Sequence, residues 1–322
     1  MSIIFNCTVS EIKDAATSLR SGNLVAFPTE TVYGLGADAS NIDAVKTIYQ
    51  VKNRPTDHPL IVHISSMSNL AKWARRIPSY AITLARTFWP GPMTLILPRT
   101  ELARDFITGG QDSVGIRVPL HSVTLTLLKE FEAQGGLGVA APSANRFGAL
   151  SPTTAEAVLE ELSDYLRATD LVLDGGPSLV GVESTIIDCT QNVPTILRPG
   201  AITATMIGNL LGISVMLETQ SLGNQIKAPG LLKSHYTPSA KVFLTGIPKP
   251  GDGFIALAPF KTPEGAIRLS SPVTNEEYAQ ILYQSLRKAD TKKIEKVFVI
   301  PPTGGDIAVA INDRLIRCAF KN

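Results

Sequence analysis

The chain has 322 residues, 44% of them hydrophobic and 18% charged, with a formal net charge of +2. That suits a soluble globular protein of two ordinary domains or one large one, with a substantial core. No apolar run reaches the ~20 residues that span a bilayer, the N-terminus lacks the basic flank and apolar centre of a signal peptide, and the small net charge gives no global case for nucleic-acid binding.

The first ~200 residues alternate short β-rich runs with helix-like windows, the pattern of an α/β domain. Leu24–Phe27 reads as a buried strand, and Pro28–Ala39 after it as a hydroxyl- and glycine-rich loop. A helix is expected at 42–51, where Ile42, Val45, Ile48 and Tyr49 share a face behind an N-cap at Ser40 or Asn41. Further strands are expected at 60–64, 93–97, 114–118, 138–141, 171–173, 184–188 and 195–197, with helices at 68–74, 79–88, 122–134 and 154–162. Tight glycine-rich turns between several of these strands predict a mixed sheet. Thr203–Gly212 reads as a closing helix, capped by threonine and stopped by glycine.

Residues 1–212 thus form a first domain, 213–240 a linker, and 241–322 a smaller α/β domain. In the last, strands are expected at 241–244, 253–258 and 296–300 and helices near 275–289 and 306–318. Residues 241–322 carry a net charge of +4 and the rest −2, so a cationic pocket in the first domain must be local. Cys7, Cys189 and Cys318, odd in number and far apart, read as buried thiols of a cytoplasmic protein.

Several short motifs carry chemistry. Gly34-Leu35-Gly36-Ala37-Asp38-Ala39 fits the dinucleotide fingerprint in letters, but its first glycine lies too far from the preceding strand, and no P-loop motif is present. In Lys52-Asn53-Arg54-Pro55 the proline favours extended backbone at Arg54, which would aim both cations to one side. Ser143 and Asn145 have the same two-residue spacing, so the two pairs together offer charge and hydrogen bonds to phosphates. Arg117 and Arg198 sit in or at the end of apolar strands and call for an anionic partner. His58 and His63 are spaced wrongly to share a metal on one strand. His235-Tyr236-Thr237-Pro238 is a basic and aromatic stretch of the linker that could close over a nucleotide base.

Taken in order, Pro28-Thr-Glu-Thr-Val-Tyr-Gly-Leu-Gly, Lys52-Asn-Arg-Pro, Trp89-Pro-Gly-Pro-Met-Thr, Arg117-Val-Pro, Pro142-Ser-Ala-Asn, Glu183-Ser-Thr-Ile, Leu197-Arg-Pro-Gly and His235-Tyr-Thr-Pro resemble the threonylcarbamoyl-AMP synthases of the YrdC-like superfamily. The resemblance implies a YrdC-like twisted mixed sheet with helices, a linker that closes over the active site, and a small Rossmann-like C-terminal domain. It implies a nucleotidyltransferase that joins L-threonine, bicarbonate or CO2 and ATP, with Mg2+, into threonylcarbamoyl-AMP and pyrophosphate. The product would pass to the tRNA threonylcarbamoyltransferase machinery, with at most weak tRNA contact and no membrane. Carried over by motif, Thr31, His63, Arg117, Ala141 and Ser184 match threonine-site positions. Arg54, His58, Ser113, Ser143, Ser151, Arg198 and Tyr236 match the nucleotide site, and Lys52, Arg54, Ser143 and Asn145 form the catalytic set. The metal ligands stay unassigned. A hydrogenase-maturation carbamoyl-adenylating domain would need cysteine pairs that this chain lacks. An RNA-binding module using the cationic cleft is the alternative of a different class, and the near-neutral charge of residues 1–240 counts against it.

Overall fold

Two β-sheets organise the chain in the computed structural model, which describes residues 2–4, 7–217, 228–229 and 236–319. The first unit runs β1 (Ser2–Ile4), α1 (Val9–Arg20), β2 (Val25–Phe27), β3 (Gly34–Asp38), α2 (Ile42–Lys52), β4 (Ile61–His63), α3 (Leu70–Trp73) and α4 (Ser79–Phe88). It continues through β5 (Met93–Pro98), α5 (Asp105–Thr108), β6 (Ser113–Arg117), α6 (Ser122–Ala133), β7 (Val139–Ala140) and α7 (Ala155–Leu162). It ends with β8 (Leu171–Leu173), β9 (Thr185–Asp188), β10 (Thr195–Arg198), α8 (Ala204–Leu211) and β11 (Met216–Leu217). The second unit is β12 (Lys241–Phe243), β13 (Gly253–Ile255), β14 (Ile267–Ser270), α9 (Asn275–Thr291), β15 (Lys296–Val299) and α10 (Ala308–Ala319).

The large sheet is mixed, as expected, in the order β1-β8-β2-β3-β7-β4-β6-β5-β9-β10-β11. The small sheet, β12-β15-β13-β14, is wholly parallel. Helix ends follow local chemistry. Asn41 caps α2 by accepting from the Asp43 and Ala44 amides, and Thr203 caps α8, which stops at left-handed Gly212. Helix α1, absent from the sequence reading, carries a Thr8/Glu11 capping box.

Three expectations are corrected. Pro28–Ala39 is not all loop, because Gly34–Asp38 forms β3 between β2 and β7. The linker does not begin at 213, because Met216 and Leu217 pair with β10. The remainder of its span includes 218–227 and 230–235, so His235 lies outside the described residues. Cys7 is half-buried, whereas Cys189 and Cys318 are buried, and all three are free thiols.

The apolar core is not divided at the boundary between units. Val32, Leu150 and Val182 of the first unit pack in one cluster with Tyr278, Leu282, Tyr283, Leu286 and Ile311 of the second. Trp73 and Trp89 are buried within the first unit's own core, where their indole N–H groups donate to the Leu137 and Met93 carbonyls. Among the described residues, no helix is long and apolar enough to cross a membrane.

Candidate active site

A narrow cleft of about 60 Å³ opens where β3, β4, β6 and β7 meet the loops after β2, α2, β7 and β10. One wall is built on strand ends. His63 and Arg117 are register partners at the ends of parallel β4 and β6, so their side chains emerge on the same side of the sheet. Arg117 Nη2 lies 2.8 Å from Glu30 Oε1 and donates to Thr31 Oγ1 at 2.9 Å. Thr29 Oγ1 donates to the Val32 carbonyl, so the 2.8 Å contact between the two hydroxyls must run from Thr31 to Thr29. The Thr31 hydroxyl is therefore an acceptor for Arg117 and a donor to Thr29, and it orients the guanidinium. Burial, reinforced by Arg117, pushes the His63 imidazole down to about 3, so it is neutral near pH 7. Its Nδ1 faces the Ile61 carbonyl and so carries the proton in that neutral ring.

The opposite wall is cationic. Lys52 ends α2, and left-handed Asn53 turns the chain so that Arg54 enters the cleft beside it. Arg54 itself lies outside the helix, as Pro55 predicts, but the two cations are brought together by a helix end and left-handed Asn53 and not by an extended run. Lys52 Nζ donates to the Ser143 carbonyl at 2.6 Å and to the Asn145 carbonyl, which makes it a strut beneath that loop. Burial, then the neighbouring Arg54 charge, holds the Lys52 ammonium well below its ordinary value. Arg54 donates to the Pro59 carbonyl and lies over the Phe147 ring, and burial lowers it only to about 10, so it stays charged. Asn145 Nδ2 donates to the Arg146 and Ala149 carbonyls, which fixes the amide orientation and leaves Oδ1 buried without a hydrogen-bond partner. Arg198 donates to the Ser184 carbonyl and hydroxyl and to the Pro229 carbonyl.

Of the sequence-expected residues, Thr31, Lys52, Arg54, His63, Arg117, Ala141, Ser143, Asn145, Ser184, Arg198 and Tyr236 line this one cleft. Three do not. His58 packs edge-on against Phe147 behind Arg54. Ser151 is buried and donates to Glu183. Ser113 lies at the far end of β6 from Arg117, four residues or roughly 13 Å along the strand.

The residues missed were carboxylates and their partners. Glu183 lines the cleft, and its carboxylate accepts from Ser151, from Tyr283 of α9 and from Arg314 of α10. A signal for Arg314 was available: it stands on the apolar face of α10 with Ile311, Leu315 and Cys318, where an arginine needs a buried partner. Among the described residues no group of three His, Cys, Asp or Glu side chains is placed to hold a metal.

The family described as "Telomere recombination" matches residues 17–200, and the one described as "Threonylcarbamoyl-AMP synthase, C-terminal domain" matches 202–319. The threonylcarbamoyl-AMP synthase of Bacillus subtilis is 38% identical over an alignment covering 96% of this chain and 93% of the relative. That of Pyrococcus abyssi is 44% identical over 74% of this chain and 69% of its own. A crystal structure of P. abyssi Sua5 complexed with L-threonine superposes with a TM-score of 0.89 at 36% identity, covering 99% of this chain and 98% of the other. With both halves matched and the large mixed sheet and the small parallel sheet superposed together, this chain belongs to the threonylcarbamoyl-AMP synthase family.

Proposed function

We propose that the protein condenses L-threonine, bicarbonate or CO2 and ATP to threonylcarbamoyl-AMP and pyrophosphate. The observation that carries this reading is the division of the cleft. One wall presents a single guanidinium, Arg117, oriented by Thr31 and Glu30 beside a neutral imidazole, and the rest of the cleft presents Arg54 and Arg198 with two aromatic rings, Phe147 and Tyr236. The first wall matches an amino acid carboxylate, the rest a triphosphate with its base. The threonine amine adds to CO2 with loss of a proton. A carbamate oxygen then attacks the α-phosphorus, and the bond to the bridging oxygen of pyrophosphate breaks. Both reactants are anions, so the cations offset their repulsion and hold them in line, with no covalent nucleophile required.

Mg2+ fits the donor set, since it takes oxygen ligands and binds mostly through phosphates and water. Asn145 Oδ1, a buried oxygen in the cleft without a hydrogen-bond partner, would supply the protein's ligand. When bound, the ion would neutralise phosphate charge as the leaving group departs. Replacing Asn145 with Ala is expected to raise the Mg2+ concentration for half-maximal activity about 10-fold or more. We further propose a cytoplasmic setting, in which the product is handed to a tRNA threonylcarbamoyltransferase.

Pyrophosphate release tests the reading. Release should require threonine and bicarbonate together, and release that ignores either would exclude it. Arg54→Ala is expected to abolish release while leaving the circular dichroism spectrum intact.

A further inference from the structure

Arg314 and Glu183 form an ion pair that crosses between the two units inside the wall of the cleft. Arg314 is 0% exposed and comes from α10, where its Nη1 donates to Asp313 at 2.6 Å, yet its other donors reach the first unit. Its Nε donates to Glu183 Oε2 at 2.7 Å and its Nη2 to the Pro199 carbonyl at 3.0 Å, the residue directly after Arg198. Tyr283 of α9 donates to the same carboxylate, 3.1 Å from each oxygen, and Ser151 donates to Oε1 at 2.6 Å. The Arg314 guanidinium also lies 5.4 Å above the Tyr236 ring. Arg198, by contrast, donates to oxygens of Ser184 and Pro229, and among the described residues no carboxylate pairs with it. Glu183 and Arg198 line one cleft, and Arg198 donates to the carbonyl of Ser184, the residue directly after Glu183, so a second arginine stands beside a carboxylate that, among the described residues, Arg314 alone pairs with.

The identity of that partner decides the sign of the wall. A buried carboxylate whose partner is removed does not stay isolated, because an unpaired charge in low dielectric costs far more than a pair. With Arg314 gone, Arg198, already bonded to the neighbouring Ser184 carbonyl, is the cation placed to compensate. An Arg198–Glu183 pair would be neutral where an incoming triphosphate needs positive charge.

We propose that Arg314 is a positioning residue for nucleotide binding: by holding Glu183 from the side of the second unit, it keeps that carboxylate off Arg198 and leaves Arg198 positive toward the triphosphate. The second unit thereby completes the charge pattern of a cleft whose other ligand groups belong mainly to the first. This inference rests on the assignment of Arg198 to the nucleotide wall.

The test is titration calorimetry of the full chain with ATP alone and with L-threonine alone. Arg314→Met should weaken ATP binding about 10-fold or more and leave threonine affinity, set mainly by the Arg117 wall, within about 3-fold of wild type. Glu183→Gln on top of Arg314→Met should restore ATP affinity to within about 3-fold of wild type, since the competing charge is gone. Glu161→Gln, which removes the 2.9 Å Arg287–Glu161 ion pair at the same boundary between two residues that do not line the cleft, should leave both affinities within about 3-fold of wild type. An ATP defect that persists in the double variant, or loss of both ligands together, would overturn the proposal and leave the synthase reading standing. Wild-type protein that binds no ATP would overturn both. Should Arg314→Met not fold, Tyr283→Phe removes another donor to the same carboxylate: a loss of ATP affinity reversed by Glu183→Gln supports the inference, and unchanged affinity rejects it.

Discussion

Arg117 shows how much one side chain can reveal about its surroundings and how little about its partner. Its place between Ile116 and Val118 demanded an anion, and the structure supplies one in Glu30, 2.8 Å away. Nothing local in the sequence singles out Glu30, because the pairing depends on the loop after β2 folding back over the end of β6. Replacing Arg117 with Met is expected to reduce kcat/KM for threonine about 10- to 100-fold, the usual loss for a hydrogen bond to a charged group. Steady-state kinetics varying threonine at saturating ATP would measure it. His63 gives a pH prediction. Its folded value of about 3 lies below the ordinary 6.5, so between those limits the unfolded chain binds more protons than the native one. The stability linked to His63 is therefore complete above about pH 6.5 and is lost as pH falls toward 3. Thermal melts should show wild type losing more Tm than His63→Gln between about pH 7 and about pH 5.

At the scale of elements, caps were legible and β3 was not. Thr203 and Gly212 mark both ends of α8 by backbone chemistry that acts within a few residues. In β3, Gly34-Leu-Gly-Ala-Asp reads as a loop because glycine is depleted in strands. Those glycines answer a tertiary demand. A Cβ on Gly36 would stand 2.6 Å from the Phe27 ring and 2.7 Å from Val139 Cγ1, so strands β2, β3 and β7 close over Phe27 only if that position is bare. Gly36→Ala is expected to cost about 1–3 kcal/mol by overpacking, read as a lower denaturation midpoint at unchanged m-value. The Lys52–Arg54 pair teaches a related lesson: the spacing correctly put both in one cleft, but through a helix end and a left-handed Asn53 rather than an extended strand.

For the whole molecule, a second, smaller α/β unit was legible in the strand and helix pattern after residue 240, and its union with the first was not. Val182 and Leu150 are ordinary apolar letters in the first unit, yet they belong to the core of the second. With that core shared and the Arg314–Glu183 pair buried across it, calorimetry is expected to show one cooperative transition. Leu286→Ala, about 2–4 kcal/mol destabilising by the cavity it opens, should lower the Tm of that single peak. A split endotherm would show that the units melt independently. Both tryptophans of the chain, Trp73 and Trp89, are seated in the first unit, while the second core is built around Tyr278 and Tyr283. The protein is thus optically partitioned, with indole emission belonging to the catalytic half alone. A spectrometer tuned to it watches one half open while heat uptake records both, and the two melting curves should lie on top of each other.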